Sequence, residues 1–331
     1  MAAALKTLFD KQKLALALAR ARFRAWWEGV PFDEEAATAE IAAAANDSSP
    51  ELDDELFDAP PFEPPPRLVA LSLLWGEGRI RPGDPTAEAQ QPAQIGVPAD
   101  GVLAILGPGH IAPLAAIAAA HSGPIEVFEW REETFEALQH EIAKAKLGER
   151  ITATRIDLEA HVFTPNHFDG LLSTDDFAYC SYPPHLAQQL FKTLKPGASA
   201  MIECYIGMRL AELSTAFATA FSEPHIRAHG DLLQFFRDTG LRVEADEDLT
   251  ESFLAQAKQG FTQLGGRLSD AGDLGVAAAQ ELAWEAEAWR MRLRLLAQRR
   301  LERRRFVLRR PREDEPLQEE DAAENANAPT A

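Results

Sequence analysis

The run Gly107-Pro108-Gly109-His110-Ile111-Ala112 combines residue types that suit ligand binding. Its two glycines allow a tight turn and close approach of a ligand to the main chain. The run fits the pattern G-x-G-x-x-G/A. Glu129 lies near the spacing at which that pattern places a carboxylate able to accept hydrogen bonds from ribose hydroxyls. His110 is the polar side chain inside the turn. The chemistry expected is therefore recognition of a nucleoside-bearing cofactor. By local pattern alone the cofactor is NAD, but no Tyr-x-x-x-Lys or other hydride-transfer constellation accompanies the turn.

A second group lies in STDDFAYC. Ser173 ends an apolar run, and Asp175, Asp176 and Tyr179 follow it. Carboxylates and a phenol at the end of a strand can position a polar acceptor. Asp175 and Asp176 can equally cap the loop that follows. His185 belongs to a Pro-Pro-His helix start, where a structural role is expected. No H-x-x-H or C-x-x-C pair is present, and His161 and His167 flank a turn without a soft ligand, so no metal site is expected. Cys180 and Cys204 are too few for a disulfide framework and read as small core residues of a reduced protein.

The elements that must hold these residues alternate. Strands are expected at 102–106, 125–129, 151–156, 168–173, 199–205 and 241–245, with helices at 112–121, 132–147, 184–194 and 229–238. Strands alternating with helices imply a mostly parallel sheet covered on both faces, with right-handed crossovers. Gly107, Glu129 and Ser173 then fall at carboxyl ends of strands, the ligand crevice of such sheets. The apolar stretch 102–120 is broken by Gly107, Pro108, Gly109 and Pro113 and reads as strand-turn-helix rather than a membrane span.

The ends of the chain differ from its centre. Residues 1–45 read as a helical extension with an apolar face (Leu5, Leu8, Phe9, Leu16, Phe23, Trp27) that suits a packed cap or a homodimer contact. Residues 1–30 lack signal-peptide order, because Lys and Arg interrupt the apolar stretch. Residues 46–66 form an acidic, Pro-rich linker, 67–310 the main domain, about 250–298 a helical insertion broken around Gly265-Gly266 and Gly272, and 311–331 an acidic disordered tail. Net charge is -19, which excludes a general attraction to nucleic acid or anionic membrane. The Arg-rich block 290–312 has no accompanying aromatic platform. It reads as a helix and an edge strand, 306–308, whose charges meet acidic surface and tail. A cytoplasmic location is expected.

The stretch HFDGLLSTDDFAYCSYPPHLAQQLFKTLKPGASAMIE resembles the second half of a class I S-adenosylmethionine-dependent methyltransferase domain. There an FD-apolar strand leads through a loop and helix to an L-K-P-G turn, here Leu194-Lys195-Pro196-Gly197. LLWGEGRIRPGDP resembles the Trp-Gly entry loop of small-molecule members, DTGLRVEADEDLT their sixth strand, and FVLRRP their last, antiparallel strand. The resemblance implies an α/β fold: a doubly wound Rossmann-like methyltransferase sheet of seven strands, the last antiparallel, with added N-terminal helices. It implies S-adenosylmethionine as cofactor and a small-molecule acceptor whose nucleophile (N, O or C) stays open. Gly107, Gly109 and His110 would lie by the methionine portion, Glu129 by the ribose, and Asp157 and Leu158 by the adenine. Ser173 would line the cleft, Trp75 would shield the cofactor, and Asp175, Asp176 and Tyr179 would position the acceptor.

Two positions depart from that pattern. Ile105 stands where an acid two residues before the first glycine is usual, and Ile111 stands where a third glycine is usual. The first removes a carboxylate that organises the turn, and the second adds a β-branched side chain at a place of close approach. These departures keep a second reading open, a non-catalytic scaffold or partner with the same fold. A third is the NAD(P)-binding oxidoreductase.

Overall fold

The computed structural model describes residues 62–207, 225–272 and 274–315, besides 33 and 36–38. The fold lies in the compact unit Phe62–Ala331. Most of the expected N-terminal extension and linker, residues 208–224 and the tail beyond 315 lie outside the described residues.

Among the described residues of this unit, eight α-helices and seven strands follow in chain order, with a single 3-10 turn at Asp176–Ala178: α1 (Pro66–Trp75), α2 (Pro85–Gln94), β1 (Leu103–Leu106), α3 (Ile111–Ala120), β2 (Ile125–Glu129), α4 (Glu132–Lys144), β3 (Ile151–Arg155), β4 (Phe168–Thr174), α5 (Pro183–Thr193), β5 (Leu194–Gly207), α6 (His229–Asp238), β6 (Arg242–Asp248), α7 (Thr250–Ala271), α8 (Val276–Ala297) and β7 (Leu301–Arg309). Proline opens α1, α2 and α5, where its missing N–H costs nothing and its φ is already helical. Asp84 caps α2 by accepting from the Thr86 N–H at 2.8 Å.

The sheet runs β3-β2-β1-β4-β5-β7-β6. β1 to β5 pair in parallel, and β7 lies antiparallel to both β5 and β6. β1 is buried at all four residues, as expected of a central parallel strand covered on both faces. On one face, Phe128, Phe168, Leu171, Ile202 and Phe306 pack against α5 and α6 through Leu186, Leu190, Leu232 and Phe236. On the other, Ile105, Val127, Leu172 and Met201 meet Leu114 and Ile117 of α3 and Leu138 of α4. A third cluster joins α1, α7 and α8 over Tyr205 and Leu301. No helix among the described residues is long and apolar enough to cross a membrane.

Several sequence expectations are corrected. α7 continues through Gly265-Gly266, since its burial against α1 outweighs the low helix propensity of glycine, and the break comes only at Gly272. α2 was not expected. Its polar composition gives little helical pattern, and Asp84-Pro85 is its one clear signal. The final strand has nine residues, not three, and it is not an edge strand, because β6 pairs along its far side. Its arginines are tolerated there because carboxylates meet them, as in Arg304 with Asp246 at 2.6 Å and Arg305 with Glu203 at 2.8 Å. Leu194-Lys195-Pro196-Gly197 lies within β5 rather than before it, with Gly197 bending at φ 84°. The FD and LKPG motifs also meet: Asp169 accepts from the Val102 N–H and pairs with Lys195, each at 2.8 Å. These motif residues lie at the strand starts, away from the crevice, and hold β1, β4 and β5 in register.

Phe306 is fully buried on β7 between the Phe236 and His229 rings. Phe306→Ala is expected to cost about 3–5 kcal/mol, read as a lower urea midpoint at unchanged slope.

Candidate cofactor crevice at the strand ends

The ends of β1, β2 and β4 converge because these strands are neighbours in register, with Leu106 opposite both Phe128 and Ser173. Gly107 and Gly109 both take left-handed conformations, φ 62° and 82°, open to glycine at low cost. Glu129 follows at the tip of β2 and is fully buried. One carboxylate oxygen accepts from the Gly109 N–H at 3.2 Å. The other accepts from the Trp130 and Arg131 N–H groups at 3.1 and 3.0 Å and from the Arg131 guanidinium at 2.8 Å. Glu129, expected to bind a ribose, is therefore tied to the glycine turn, with Arg131 as its present partner.

Asp176 reaches the same turn from the exit of β4. Its carboxyl accepts from Ser173 Oγ at 2.7 Å, Trp130 Nε1 at 3.0 Å and the Thr174 N–H at 3.2 Å. A Cβ on Gly107 would lie 2.1 Å from its Oδ1. Asp176 thus brings a carboxyl group beside the glycine turn, where position 105 carries none. Ile105 packs instead into the apolar layer against α3 and α4. Burial raises the pKa of Asp176 to about 6, against the opposing charge of Arg131.

The entry loop between α1 and α2 closes the remaining side. Arg81 donates to the carbonyls of Gly107 and Pro108 at 3.2 and 3.0 Å. Ile80 covers Gly109, where a Cβ would meet its Cδ1 at 2.5 Å. Gly78 O accepts from the Ala112 N–H at 2.9 Å, and a Cβ on Gly78 would meet Ile111 at 2.7 Å. The β-branched side chain of Ile111 is therefore accommodated by a glycine of the entry loop.

Beside this network, the Trp130 and Tyr179 rings lie 4.5 Å apart, with the Arg131 guanidinium 4.0 Å from the Trp130 ring. Asp175 takes a left-handed conformation at φ 72° and pairs with Arg303 of β7, with Arg81 3.8 Å away. Arg303 also pairs with Glu203 at 3.3 Å. Burial favours the neutral form of Asp175 and Glu203, but the arginines around them, Arg303 foremost and Arg81 and Arg305 beside it, together outweigh it and lower both pKa values. A cavity of about 630 Å³ opens between α1, α8 and the ends of β2 and β4, lined by Arg81, Trp130, Arg131, Asp175, Tyr179 and Trp289 among others.

The strand order with its antiparallel β7 decides the architecture. The chain has the class I methyltransferase fold. Phosphoethanolamine N-methyltransferase 2 of Haemonchus contortus, solved with S-adenosyl-L-methionine, superposes with TM-score 0.63 at 18% identity, covering 74% of this chain and 57% of that one. This chain therefore spans less than two thirds of that protein. Geranyl diphosphate C-methyltransferase of Streptomyces coelicolor A3(2), solved with geranyl diphosphate and S-adenosyl-L-homocysteine, gives 0.53 at 11% identity over 68% of this chain and 80% of that one. The [4+2]-cyclase SpnF gives 0.58 at 14% identity, over 76% and 98%. No family model and no curated protein matches the sequence.

Within this methyltransferase fold, Gly107, Gly109, Glu129, Ser173, Asp175, Asp176 and Tyr179 come together at one place. The side chains of four further expected residues make other contacts. Asp157 is exposed and closes a turn beyond β3, accepting from the Glu159 N–H at 2.9 Å. Leu158 is buried in the core. Trp75 packs in the helical layer, 4.7 Å from the Trp289 ring. His110 caps α3, accepting from the Ile111 N–H at 2.7 Å, and lines a groove with Phe62 and His140. Burial lowers the pKa of His110. Arg81, Trp130, Arg131, Glu203 and Arg303 were not expected. Trp130 and Arg131 follow Glu129 directly, and Arg303 is one of many arginines in its block.

Arg303→Met leaves Asp175 and Glu203 short of their shared cation in a buried place and is expected to cost about 3–5 kcal/mol by denaturant unfolding. The pKa of Asp176 is raised on folding, so its contribution to stability is present below the ordinary value of 3.8 and is lost as pH rises through about 6. Asp176→Asn is expected to flatten the dependence of unfolding free energy on pH across that window.

Proposed function

We propose that the chain binds S-adenosylmethionine in this crevice and transfers its methyl group to a small-molecule acceptor. The observation that carries the reading is complementarity. The cations and N–H donors now in the crevice stand where donors of the cofactor would stand. The Arg81 guanidinium rests on the Gly107 and Pro108 carbonyls, which suit the ammonium of a methionine portion. The Arg131 guanidinium rests on Glu129, which suits ribose hydroxyls. Both arginines are long, rotatable and partly exposed, so a ligand of the same polarity can replace them without disturbing the strands.

In this reading Glu129 holds the ribose, and the glycine turn and Asp176 hold the methionine portion. Trp130 and Tyr179 provide an aromatic flank. The cofactor supplies a methyl group already activated by its sulfonium, so the chain mainly aligns the acceptor and keeps water away. Asp175, locked to Arg303, forms a fixed wall of the cavity rather than a mobile base. Four hydrogen bonds on Glu129 and the covered faces of Gly107 and Gly109 favour a second reading, in which the stand-in is permanent and the fold serves as a non-catalytic binding partner.

Titration calorimetry with S-adenosylhomocysteine separates the two. Methyl transfer expects saturable binding that Glu129→Gln weakens by about tenfold or more and that Arg131→Ala, which removes a competitor, tightens. Absence of binding to the wild type and to Arg131→Ala alike would overturn the methyltransferase reading in favour of the non-catalytic one.

A further inference from the structure

Behind the glycine turn lies a second chamber, of about 270 Å³, roofed by α2 and α7. Its floor is the other side of the strand ends: Ile105 of β1, Leu172 and Thr174 of β4, Glu203 of β5, and Arg303 and Arg305 of β7. Pairing sets this row, since Ile105 is opposite Leu172, Thr174 opposite Glu203, and Glu203 opposite Arg305. Arg81 lines both this chamber and the larger cavity. Asp175 lines the larger cavity and Arg303 the smaller, and the two side chains are paired. Arg81 and the Asp175–Arg303 pair therefore stand between the two cavities.

The charges of the chamber do not balance. Glu88 is taken up by Arg79 in a two-pronged pair at 2.7 Å, and Asp84 is exposed as the cap of α2. What remains is Arg81, Arg303 and Arg305 facing two carboxylates, buried Asp175 and part-buried Glu203. Half-exposed Glu247, 3.6 Å from Arg305, adds only a solvent-screened contact. Arg303 is 2% exposed, and its Nε has no hydrogen-bond partner among the described residues. A buried donor left unmade is costly unless a ligand meets it. Gln91 and Gln256 add neutral polar groups, while Ile105, Ile117, Leu172 and Phe253 form an apolar end.

The geometry points to this chamber as the acceptor seat of the methyl transfer proposed above, taking a small molecule that carries one oxyanion, a carboxylate or a phosphate, against Arg303 and Arg305. The assignment as acceptor seat rests on that reading; the oxyanion site itself does not. The chamber size excludes bulky acceptors, and the apolar end receives the body of the molecule. Its nucleophilic atom faces this partition, and Arg81 must swing aside for the two cavities to join.

The test uses the full chain at constant ionic strength. 4-Hydroxybenzoate and phenyl phosphate are titrated against the uncharged 4-hydroxybenzamide, with S-adenosylhomocysteine titrated on the same preparations. The expectation is that at least one anion binds about tenfold or more tighter than the amide. Preference between the two anions identifies carboxylate or phosphate. Arg305→Gln should abolish that preference and Arg305→Lys should restore part of it. Should Arg305→Gln fail to fold, Ala87→Phe fills the chamber from α2 without touching a charge and should exclude both anions. Equal binding of anion and amide, no binding of either anion, or anion binding unaffected by Arg305→Gln and Ala87→Phe overturns the proposal. Anion binding without S-adenosylhomocysteine binding leaves the oxyanion site standing and removes the methyltransferase reading. The reverse result removes the oxyanion site alone.

Discussion

The buried guanidinium of Arg303 is the interaction on which the rest of the site depends. It comes from β7, inserted between β5 and β6, and meets Asp175 of the β4 exit and Glu203 of β5. Two carboxylates in a low-dielectric interior cannot both stay ionised without such a cation. With it in place, Asp175 holds an unusual backbone conformation, and the next residue, Asp176, is aimed at Gly107. The shape of the glycine turn is therefore set partly by a residue almost two hundred positions later in the chain.

The crevice is also a study in charge assigned by burial. Three carboxyl groups stand within a few residues or one strand of each other, and their environments separate them. Asp175 and Glu203 are kept ionised by the arginines around them, Arg303 foremost, whereas burial outweighs Arg131 at Asp176 and raises its pKa to about 6. Proximity in sequence thus says little about role: Asp175 and Asp176 are neighbours that face different partners.

Much of the fold was legible in the chain. β1, β2, β4 and the turns that follow them carry apolar runs ended by glycine or acid, and the alternation with helices left few topologies open. The glycine turn, Glu129 and the β4 exit were legible for the same reason, since local pattern placed them at strand ends. The partners that complete the site were not legible. Arg81, Arg131 and Arg303 are arginines in a chain with many, and only tertiary contact distinguishes a buried one from a solvated one. Asp157 and Leu158 were located correctly after the third strand, yet one faces solvent and the other the core. Trp75 was read as part of an entry loop and proved to be the last residue of a helix, fixed by Gly260, where a Cβ would meet its ring at 2.7 Å. Ile105 and Ile111 looked like losses from the pattern. Beside the first stands a carboxyl group at the exit of β4, and the second is accommodated by a glycine in the entry loop.

The position of β7 has a consequence for how the protein is made. A strand that ends the domain, yet sits between two earlier ones, cannot be placed until every other strand of the sheet has been synthesised. Until then β5 and β6 flank an open seam, and Asp175 and Glu203 await their counter-ion. A nascent chain released early would carry an unpaired sheet edge and a half-built pocket together. Quality control that recognises the exposed seam would therefore remove, by the same criterion, every copy with an unfinished site.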